Sequence, residues 1–379
     1  MAVEELTRNA VDVLPEGGLE RKLALGRPLR VKLGIDVTSP DIHVGRGIPL
    51  QRMRAFQDDG HTGVLIVGDY TTRIGDPSGR SSERPILSDE QIDENAQRYL
   101  EQAMTILDPE RTEVRYNGEW LSKLSYADVV RLARTITVAR ILERDDFAKR
   151  MAAHQPISVS ELLYPLMQAY DSVAVEADVE LGGTDQLYNL LAGREVMAHY
   201  GLEPQVVLTT PLLLSWDGEK MSSSVGNNIP LLAPPEEMFG RTMRIPDEML
   251  VEWWRLVAER PVPEGDPMDA KLELARLIVR RSHGEEAARE AEAHFTRVVR
   301  RHEAPEEIPE APLPAGDPLH LPKLLAESGL APSTSEARRL IAQGGVRLDG
   351  EVVDELDLPR TRLAGAVLQA GKRRFLRFA

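Results

Sequence analysis

Apolar residues recur at two different spacings up to about residue 230, and these spacings predict strands that alternate with helices. Short β-like runs occupy residues 31–35, 64–67, 173–179 and 206–208. Helical patterns follow the first run after His43 and the third run from Asp185. Alternation of this kind is typical of a parallel sheet wrapped by helices, so we predict a Rossmann-like α/β domain.

The remainder of the chain has a different pattern. Residues 235–300 have helical apolar spacing, with Pro235 and Pro246 near the predicted helix starts. Prolines are concentrated in residues 304–318, a composition that stiffens and extends a chain. Two short helices, at 324–330 and 335–341, and a strand at 346–348 follow. We therefore expect an α/β domain at 1–232, an α-helical domain at 233–303, a linker at 304–318 and a small α+β domain at 319–379.

Composition and charge narrow the class of protein. The 379 residues are 42% hydrophobic, which is enough for packed cores, and no apolar stretch reaches the roughly 18 residues that a membrane span needs. We expect a cytoplasmic protein without a membrane segment. The chain has no cysteine and its eight histidines are not at ligand spacing, so no protein-bound metal is expected. A net charge of −15 disfavours broad nucleic-acid binding, although the tail after Asp357 is basic enough for a local RNA-facing patch.

Two polar segments far apart in the chain have the residues needed to hold a nucleoside triphosphate. Thr38, His43 and Gly45 precede a predicted helix, at whose start backbone N–H groups and the helix dipole attract phosphate. The second segment, residues 220–224 (Lys-Met-Ser-Ser-Ser), lies in a polar loop after a predicted strand. A flexible ammonium and hydroxyls suit a departing pyrophosphate. Together the segments predict nucleotidyl transfer from ATP, with magnesium arriving as the ion of ATP.

Polar residues also follow other predicted strands and line one predicted helix. The loops after the predicted strands hold Asp36, Asp76 and residues 183–186, and such loops meet at the carboxyl edge of a parallel sheet. Tyr164, Gln168 and Asp171 are spaced so that they share one helical face. This face is either exposed to solvent or part of a small polar pocket, in which a carboxylate would seek a hydroxyl or an amine.

These motifs in this order resemble the class I aminoacyl-tRNA synthetases, and within them the bacterial tyrosyl-tRNA synthetases, over nearly the whole chain. The resemblance rests on the HIGH-like residues 43–46, the KMSKS-like residues 220–224, loops 75–79 and 183–186, the polar helix face, and an S4-like segment at 335–350. It implies a Rossmann-like catalytic domain, a helical anticodon-binding domain and an S4-like RNA-binding domain. It also implies a homodimer that uses ATP, L-tyrosine and tRNA(Tyr).

The resemblance implies a role for each matched residue. The catalytic residues, which stabilise the phosphates, would be Thr38, His43 and Lys220. The ATP-binding residues would be Gly45, Arg46, Gly183, Asp185, Met221, Ser222, Ser223 and Ser224. The tyrosine-binding residues would be Asp36, Asp76, Tyr164, Gln168, Asp171 and Gln186, with Asp171 accepting from the phenol. The RNA-binding residues would be Arg338, Arg339, Arg347, Lys372 and Arg373.

The sequence departs from the family pattern at a few positions. Arg46 stands where a second histidine is usual, Ser223 replaces a lysine, and Lys32 lies where some relatives have a tyrosine that touches the substrate phenol. Arg46 would bind phosphate in place of histidine or would mark a catalytically altered paralogue with an RNA-binding or regulatory role. An activator of another amino acid, such as tryptophan, is a further alternative, against which Asp171 and the S4-like tail argue.

Overall fold

The computed structural model describes residues 3–77, 87–223, 225–297, 308–371 and 374–378. The chain forms two compact units, one of Met1–Pro234 with Arg241–Ile278 and one of Pro235–Gly240 with Val279–Ala379. Each unit has its own core of buried apolar side chains. In the described residues, no helix is both long and apolar enough to cross a bilayer.

The first unit is built on a six-stranded sheet. Its strands are β1 (Asp12–Leu14), β2 (Arg30–Ile35), β3 (Thr62–Val67), β4 (Thr112–Tyr116), β5 (Val179–Gly183) and β6 (Val206–Thr210). They lie in the order β1-β6-β5-β2-β3-β4, and only β1 runs antiparallel to its neighbour. The chain leaves β2 for β3 on one side and reaches β5 on the other. Ligands of such sheets bind beyond the carboxyl ends of the strands at this reversal.

Helices precede, connect and follow the strands of this sheet along the chain, and those that pack on the sheet bury their apolar faces. They are α1 (Val3–Leu6), α2 (Gly18–Leu23), α3 (Val44–Asp58), α4 (Asp89–Ala103), α5 (Gly118–Leu121), α6 (Tyr126–Ala133), α7 (Val138–Leu142), α8 (Asp145–Ala152), α9 (Val159–Ala174), α10 (Leu187–His199), α11 (Pro235–Thr242), α12 (Leu250–Trp253) and α13 (Pro267–Phe295), which kinks at Gly284. Single turns of 3₁₀-helix lie at Thr71–Arg73, Pro109–Arg111, Thr184–Gln186 and Asp247–Met249, and a π-helix lies at Trp254–Ala258. In α3, Leu50, Met53 and Phe56 are buried, as their spacing predicts.

The second unit contains a small sheet and short helices. Its strands are β7 (Glu310–Ala311), β8 (Leu319–His320), β9 (Val346–Leu348), β10 (Glu351–Val352), β11 (Asp357–Leu358), β12 (Val367–Ala370) and β13 (Arg374–Phe378), and its helices include α14 (Leu321–Glu327), α15 (Thr334–Ala342) and α16 (Arg360–Leu363). A five-stranded sheet has the order β10-β9-β12-β13-β7. Strand β7 falls within the segment predicted as a linker and pairs with β13.

The predicted fold class is confirmed: a mostly parallel Rossmann-like sheet is followed by a helical region and a C-terminal domain with a small sheet. The strand predicted at 173–179 is wrong. Val173 and Ala174 end helix α9, whose apolar pattern they continue, and the strand begins only at Val179. Glu176 between them has a φ of 47°, a left-handed conformation that turns the chain from helix to strand.

Candidate functional site

The loops at the carboxyl edge of the first unit's sheet are linked by hydrogen bonds between their polar side chains. Asp36, just after β2, accepts from Tyr164 Oη at 3.0 Å and from Thr71 Oγ1 at 2.8 Å. Asp76 accepts from Gln186 Nε2 at 2.8 Å. The residues predicted from distant loops are thus brought together, because parallel strands deliver their following loops to one edge.

Helix α9 contributes a largely buried face to this edge. Tyr164 is buried, and burial, reinforced by the nearby Asp36 carboxylate, raises the pKa of its phenol well above the usual value, so it serves as a donor. Gln168 is partly buried, and its side-chain oxygen Oε1 has no hydrogen-bond donor among the described residues. A buried acceptor of this kind carries a desolvation penalty until a donor reaches it. The pocket interpretation of this helix face therefore fits better than the solvent-exposed one.

Asp171 lies at the buried end of the same face. Trp120 Nε1 donates to its Oδ1 at 2.9 Å, and Asn117 Nδ2 approaches Oδ2 at 3.4 Å. Burial raises the pKa of Asp171 to about 7, and the positive charge of Lys32 opposes that rise. The carboxylate is therefore close to its midpoint of ionisation near neutral pH, which makes its charge sensitive to neighbouring groups.

His43 caps helix α3, as its position after the first strand predicts. Its Nδ1 accepts from the backbone N–H of Arg46 at 3.3 Å. Burial, with smaller effects of the charges on Arg46 and Lys220, lowers the pKa of His43 to about 3. The ring is therefore neutral at physiological pH, and because Nδ1 is an acceptor, Nε2 carries the hydrogen. His43 is thus a neutral hydrogen-bond donor rather than a general acid.

Two predicted glycines lie where a side chain would have little or no room. A Cβ atom at Gly45 would lie 3.2 Å from His43 Nδ1, so the glycine leaves space beside the cap. A Cβ atom at Gly183 would lie only 2.7 Å from Asp185 Oδ1 and 2.9 Å from Leu212 Cδ2. Real Cβ atoms do not approach this closely, so the absence of a side chain at position 183 lets Asp185 keep its place.

The second predicted segment forms a loop held by its own side chains. Lys220 Nζ donates to Asp185 Oδ2 at 2.6 Å, while Met221 is buried. Asn227 accepts from the backbone N–H of Ser222 at 2.9 Å and donates to Asp217 and to the Lys220 carbonyl. Two further predicted residues complete the segment: Ser223 Oγ accepts from Asn228 at 3.2 Å, and Ser224 lies outside the described residues.

The two segments predicted to hold a triphosphate meet. Just past the Lys220 loop, Ile229 O accepts from the Val44 N–H at 2.9 Å, and the Leu231 N–H donates to Ile42 O at 2.8 Å. This short antiparallel bridge joins His43 to Pro230. The chain on either side of His43 is therefore fastened directly to the end of the loop that carries Lys220.

The remaining predicted residues are also accounted for. Thr38 is partly buried between β2 and His43. Arg46, in the first turn of α3, has a buried Nη1 without a hydrogen-bond acceptor in the described parts of the chain. In the second unit, three of the predicted RNA-binding residues are exposed: Arg338 and Arg339 on α15 and Arg347 on β9. Lys372 and Arg373 lie outside the described residues.

Thr71, Asn117 and Trp120 belong to the site but were not predicted. Asn117 also donates to Thr71 Oγ1 at 3.0 Å, so a continuous chain of hydrogen bonds runs from Asp36 to Asp171. Asn117 and Trp120 follow β4, a strand of partly exposed residues without an apolar run. The sequence signal that marks the other strands is therefore missing at the place where these residues enter the site.

Comparison with known proteins agrees with the fold and identifies the family. The family described as class I tRNA synthetases (W and Y) matches residues 24–300, and the S4 domain family matches residues 320–358. A tyrosine–tRNA ligase of Thermotoga maritima is 49% identical, over 100% of this chain and 97% of that protein. A tyrosine–tRNA ligase of Coxiella burnetii is 48% identical, over 99% and 97%.

Solved structures share the fold at lower identity. A C-terminally truncated mitochondrial tyrosyl-tRNA synthetase of Aspergillus nidulans aligns with a TM-score of 0.63 at 22% identity, over 76% of this chain and 91% of that one. A tyrosyl-tRNA synthetase of Archaeoglobus fulgidus complexed with L-tyrosine aligns with 0.59 at 23% identity, over 76% and 98%. The chain belongs to the class I tRNA synthetases, and within them to the tyrosyl-tRNA synthetases. The resemblance inferred from the motifs is confirmed, and the protein is an enzyme of the ATP-using aminoacyl-tRNA synthetase class.

Proposed function

We propose that this chain charges tRNA(Tyr) with tyrosine at the expense of ATP, as a tyrosine–tRNA ligase. In the first step, a carboxylate oxygen of tyrosine attacks the α-phosphorus of ATP, and pyrophosphate leaves. In the second step, the 3′-terminal hydroxyl of the tRNA attacks the acyl carbon, and AMP leaves. No protein nucleophile is needed, because positioning and charge stabilisation lower the barrier. ATP enters as its Mg²⁺ complex.

One observation carries the proposal: the bridge between Val44 and Ile229 holds His43 beside the loop of Lys220. A triphosphate can then be contacted from both sides. His43 donates from Nε2 and Thr38 from its hydroxyl on the γ-phosphate side. Lys220, anchored by the buried Met221 and followed by Ser222, Ser223 and Ser224, holds the departing pyrophosphate.

The nucleotide's other contacts follow from the neighbouring loops. Asp185 accepts from the ribose hydroxyls, and Gly183 and Gly45 leave room for the nucleotide near the backbone. The unpartnered Nη1 of Arg46 supports a phosphate-binding role for this arginine, because a buried guanidinium donor gains most from an anionic acceptor. Arg46 then acts in place of the usual histidine, and a repurposed paralogue is not required to explain it.

The amino acid occupies the pocket along α9. Asp171 accepts from the phenol hydroxyl, which favours tyrosine over tryptophan or phenylalanine. The unpartnered Oε1 of Gln168 supports its binding of the substrate ammonium, with Tyr164 and Asp76 as further ligands. Asp36 and Gln186 lie near the reacting carboxyl group.

The residues that follow the catalytic domain supply the tRNA contacts. We assign residues 1–232 to catalysis, 233–303 to anticodon binding, 304–318 to a linker and 319–379 to an S4-like domain. Exposed Arg338, Arg339 and Arg347 would contact RNA phosphates, with Lys372 and Arg373 added by resemblance. Replacing Arg338 and Arg347 by alanine should raise KM for tRNA and leave adenylate formation intact; an unchanged KM would exclude this surface. These substrates support a cytoplasmic location.

We also propose a homodimer. Large apolar side chains are exposed on successive helices of the first unit, namely Tyr126, Val130, Val138 and Met151, with Val159 at the start of α9. Exposed apolar groups of this kind favour a protein interface. Sedimentation should therefore show a dimer, and the variant Tyr126→Glu/Val159→Glu should shift it to monomer. A parent that sediments as a monomer would contradict this assignment.

The assigned function is tested by charging. Purified protein with ATP, Mg²⁺ and tRNA should attach labelled tyrosine to tRNA, and tryptophan and phenylalanine should give at most background. Failure to charge, or equal charging with tryptophan, would contradict the proposed substrate.

A further inference from the structure

Lys32 is a buried lysine inside the sheet, at the back of the pocket of α9. It lies within β2, and 0% of its surface is exposed. Its Nζ donates to Glu180 Oε1 at 2.8 Å, to Ser172 Oγ at 2.8 Å and to Gln168 O at 3.0 Å. An ammonium has three hydrogens, and each has an acceptor here.

The position of Lys32 needs an explanation other than stability. Burying an ion pair costs desolvation free energy, which the attraction between the two charges often only balances. Apolar replacements of buried ion pairs are therefore frequently neutral or stabilising. Both carboxylate oxygens of Glu180 have donors, since Oε1 accepts from Lys32 and Oε2 accepts from Gln205 Nε2 at 2.8 Å and from Ser172 Oγ at 3.1 Å. A Cβ atom at Gly193 would lie 2.4 Å from Gln205 Nε2, so α10 packs directly against this network.

The network fastens the helix that carries the tyrosine pocket. Lys32 belongs to β2 and Glu180 to β5, whereas Ser172 and the Gln168 carbonyl belong to α9. A single ammonium therefore joins two neighbouring strands to the helix. The attachment lies directly beside Asp171 in sequence, so any movement of Ser172 would move the carboxylate as well.

The network also sets the charge around Asp171. The groups that act on this carboxylate or contact it are Lys32 from β2, Glu180 from β5, Asn117 and Trp120 from the region after β4, and Tyr164 from α9 itself. After burial, which raises the pKa of Asp171, the largest influence is Lys32, which lowers it; Glu180 raises it by less. The pair therefore acts on Asp171 as a net positive charge.

We propose that Lys32, with Glu180, is a positioning residue of the tyrosine pocket: it fixes α9 and keeps the Asp171 carboxylate ionised to accept from the substrate phenol. The inference rests on the proposed role of Asp171. It assigns to the buried pair a function in amino-acid selection, at a position where the side chain itself does not reach solvent.

The test compares variants that shift the ionisation of Asp171 in opposite directions. Lys32→Met/Glu180→Gln removes both charges of the pair, so neither partner is left as a buried ion without its counter-ion. Glu180→Gln alone keeps the ammonium and an acceptor for it. The measured quantity is kcat/KM for tyrosine in pyrophosphate exchange between pH 5.5 and 9, with phenylalanine as a substrate that lacks the phenol.

The double variant should move the acidic limb of the tyrosine profile upward by about one pH unit or more, because a neighbouring opposite charge shifts a carboxyl group by that order. At pH 7 its kcat/KM for tyrosine should fall about 10-fold, mainly through KM, and recover toward the parent value at higher pH. Glu180→Gln should move the limb downward. Phenylalanine should show neither shift, and loss of packing alone does not produce opposite shifts.

Lys22→Met is the matched control. Lys22 is also a buried lysine of the first unit, and it pairs with Asp178 at 3.4 Å, while Asp178 keeps its bonds to Arg27. The acidic limb of the pH profile of Lys22→Met should match that of the parent. Profiles of both Lys32 and Glu180 variants that coincide with the parent, or losses that do not depend on pH, would overturn the proposal. If Asp171→Asn also leaves tyrosine selection unchanged, the proposed role of Asp171 is wrong as well. If only the Lys32 variants behave as the parent, Asp171 keeps its proposed role and the positioning role of Lys32 is wrong.

Discussion

Lys220 Nζ donates a hydrogen bond to Asp185 Oδ2 at 2.6 Å. The residue proposed for the pyrophosphate is therefore paired with the residue proposed for the ribose. The lysine side chain is 55% exposed, and exposed ion pairs contribute at most about 1 kcal/mol. A triphosphate can therefore replace Asp185 as the partner of the Lys220 ammonium with little loss of free energy. The released Asp185 carboxylate is then available to the ribose.

Lys220→Met should lower kcat for tyrosine-dependent pyrophosphate exchange by about 100-fold, since it removes a charge directed at the developing pyrophosphate. KM for tyrosine should stay within a factor of about two. Lys123→Met, an exposed lysine of the same unit, is the control and should match the parent. A Lys220 variant with parental kcat would show that this loop does not take part in the chemistry.

Gly183→Ala should weaken ATP binding, because its Cβ would displace Asp185, which lies 2.7 Å from the added atom. We expect KM for ATP to rise about 10-fold with KM for tyrosine unchanged. The control is Gly240→Ala, where the added atom meets nothing within 4 Å. A rise in KM for tyrosine instead of ATP would place Asp185 in the amino-acid pocket.

Asp171→Asn should reduce the preference for tyrosine over phenylalanine by about 10- to 100-fold, the range expected when a hydrogen bond to a charged group is lost. The comparison is the ratio of kcat/KM values for the two amino acids. Equal ratios in variant and parent would mean that another group receives the phenol.

The same substitution has a stability signature. Burial raises the pKa of Asp171 from 3.8 to about 7, so between these values the folded chain holds a proton that the unfolded chain has released. The associated stability is present at low pH and is lost as pH rises through about 7. In urea unfolding, the free energy of unfolding of the asparagine variant should therefore rise relative to that of the parent between pH 4 and pH 7, by up to about 1.4 kcal/mol per pH unit. Above pH 7 the difference should stay constant. A difference that does not vary with pH would mean that the carboxyl group is not desolvated.

Arg46→Met should raise KM for ATP, by about 10-fold, because the buried guanidinium nitrogen Nη1 has no acceptor in the described structure and is proposed to bind phosphate. Arg46→His should retain most of the activity. A large gain of activity in the histidine variant would instead support an impaired paralogue.

The position of the segment proposed to bind phosphate was largely predictable from the sequence. His43 and Gly45 stand between an apolar strand and an amphipathic helix, and local chemistry alone places them at a helix start. The polar face of α9 was predictable from its spacing for the same reason. Both signals are carried by residues close together in the chain.

Other parts of the site depend on contacts between distant residues. Lys32 and Glu180 are charged residues within apolar strands, and only the pairing of β2 with β5 explains how each is accommodated. Asn117 and Trp120 reach Asp171 from the far side of β3. Asn227, which holds the Lys220 loop, has no local pattern that distinguishes it from an ordinary loop residue.

We propose that His43 and Lys220 act on the same ATP beside the tyrosine pocket, and a double-mutant cycle in tyrosine-dependent pyrophosphate exchange measures whether they do. The variants are His43→Asn, Lys220→Met and the two combined. We predict exchange by the parent with tyrosine alone, and a combined loss at least about 10-fold smaller than the product of the single losses, as expected for residues that act together. No tyrosine-dependent exchange by the parent, or strictly multiplicative losses, would show that the two residues do not act together on ATP.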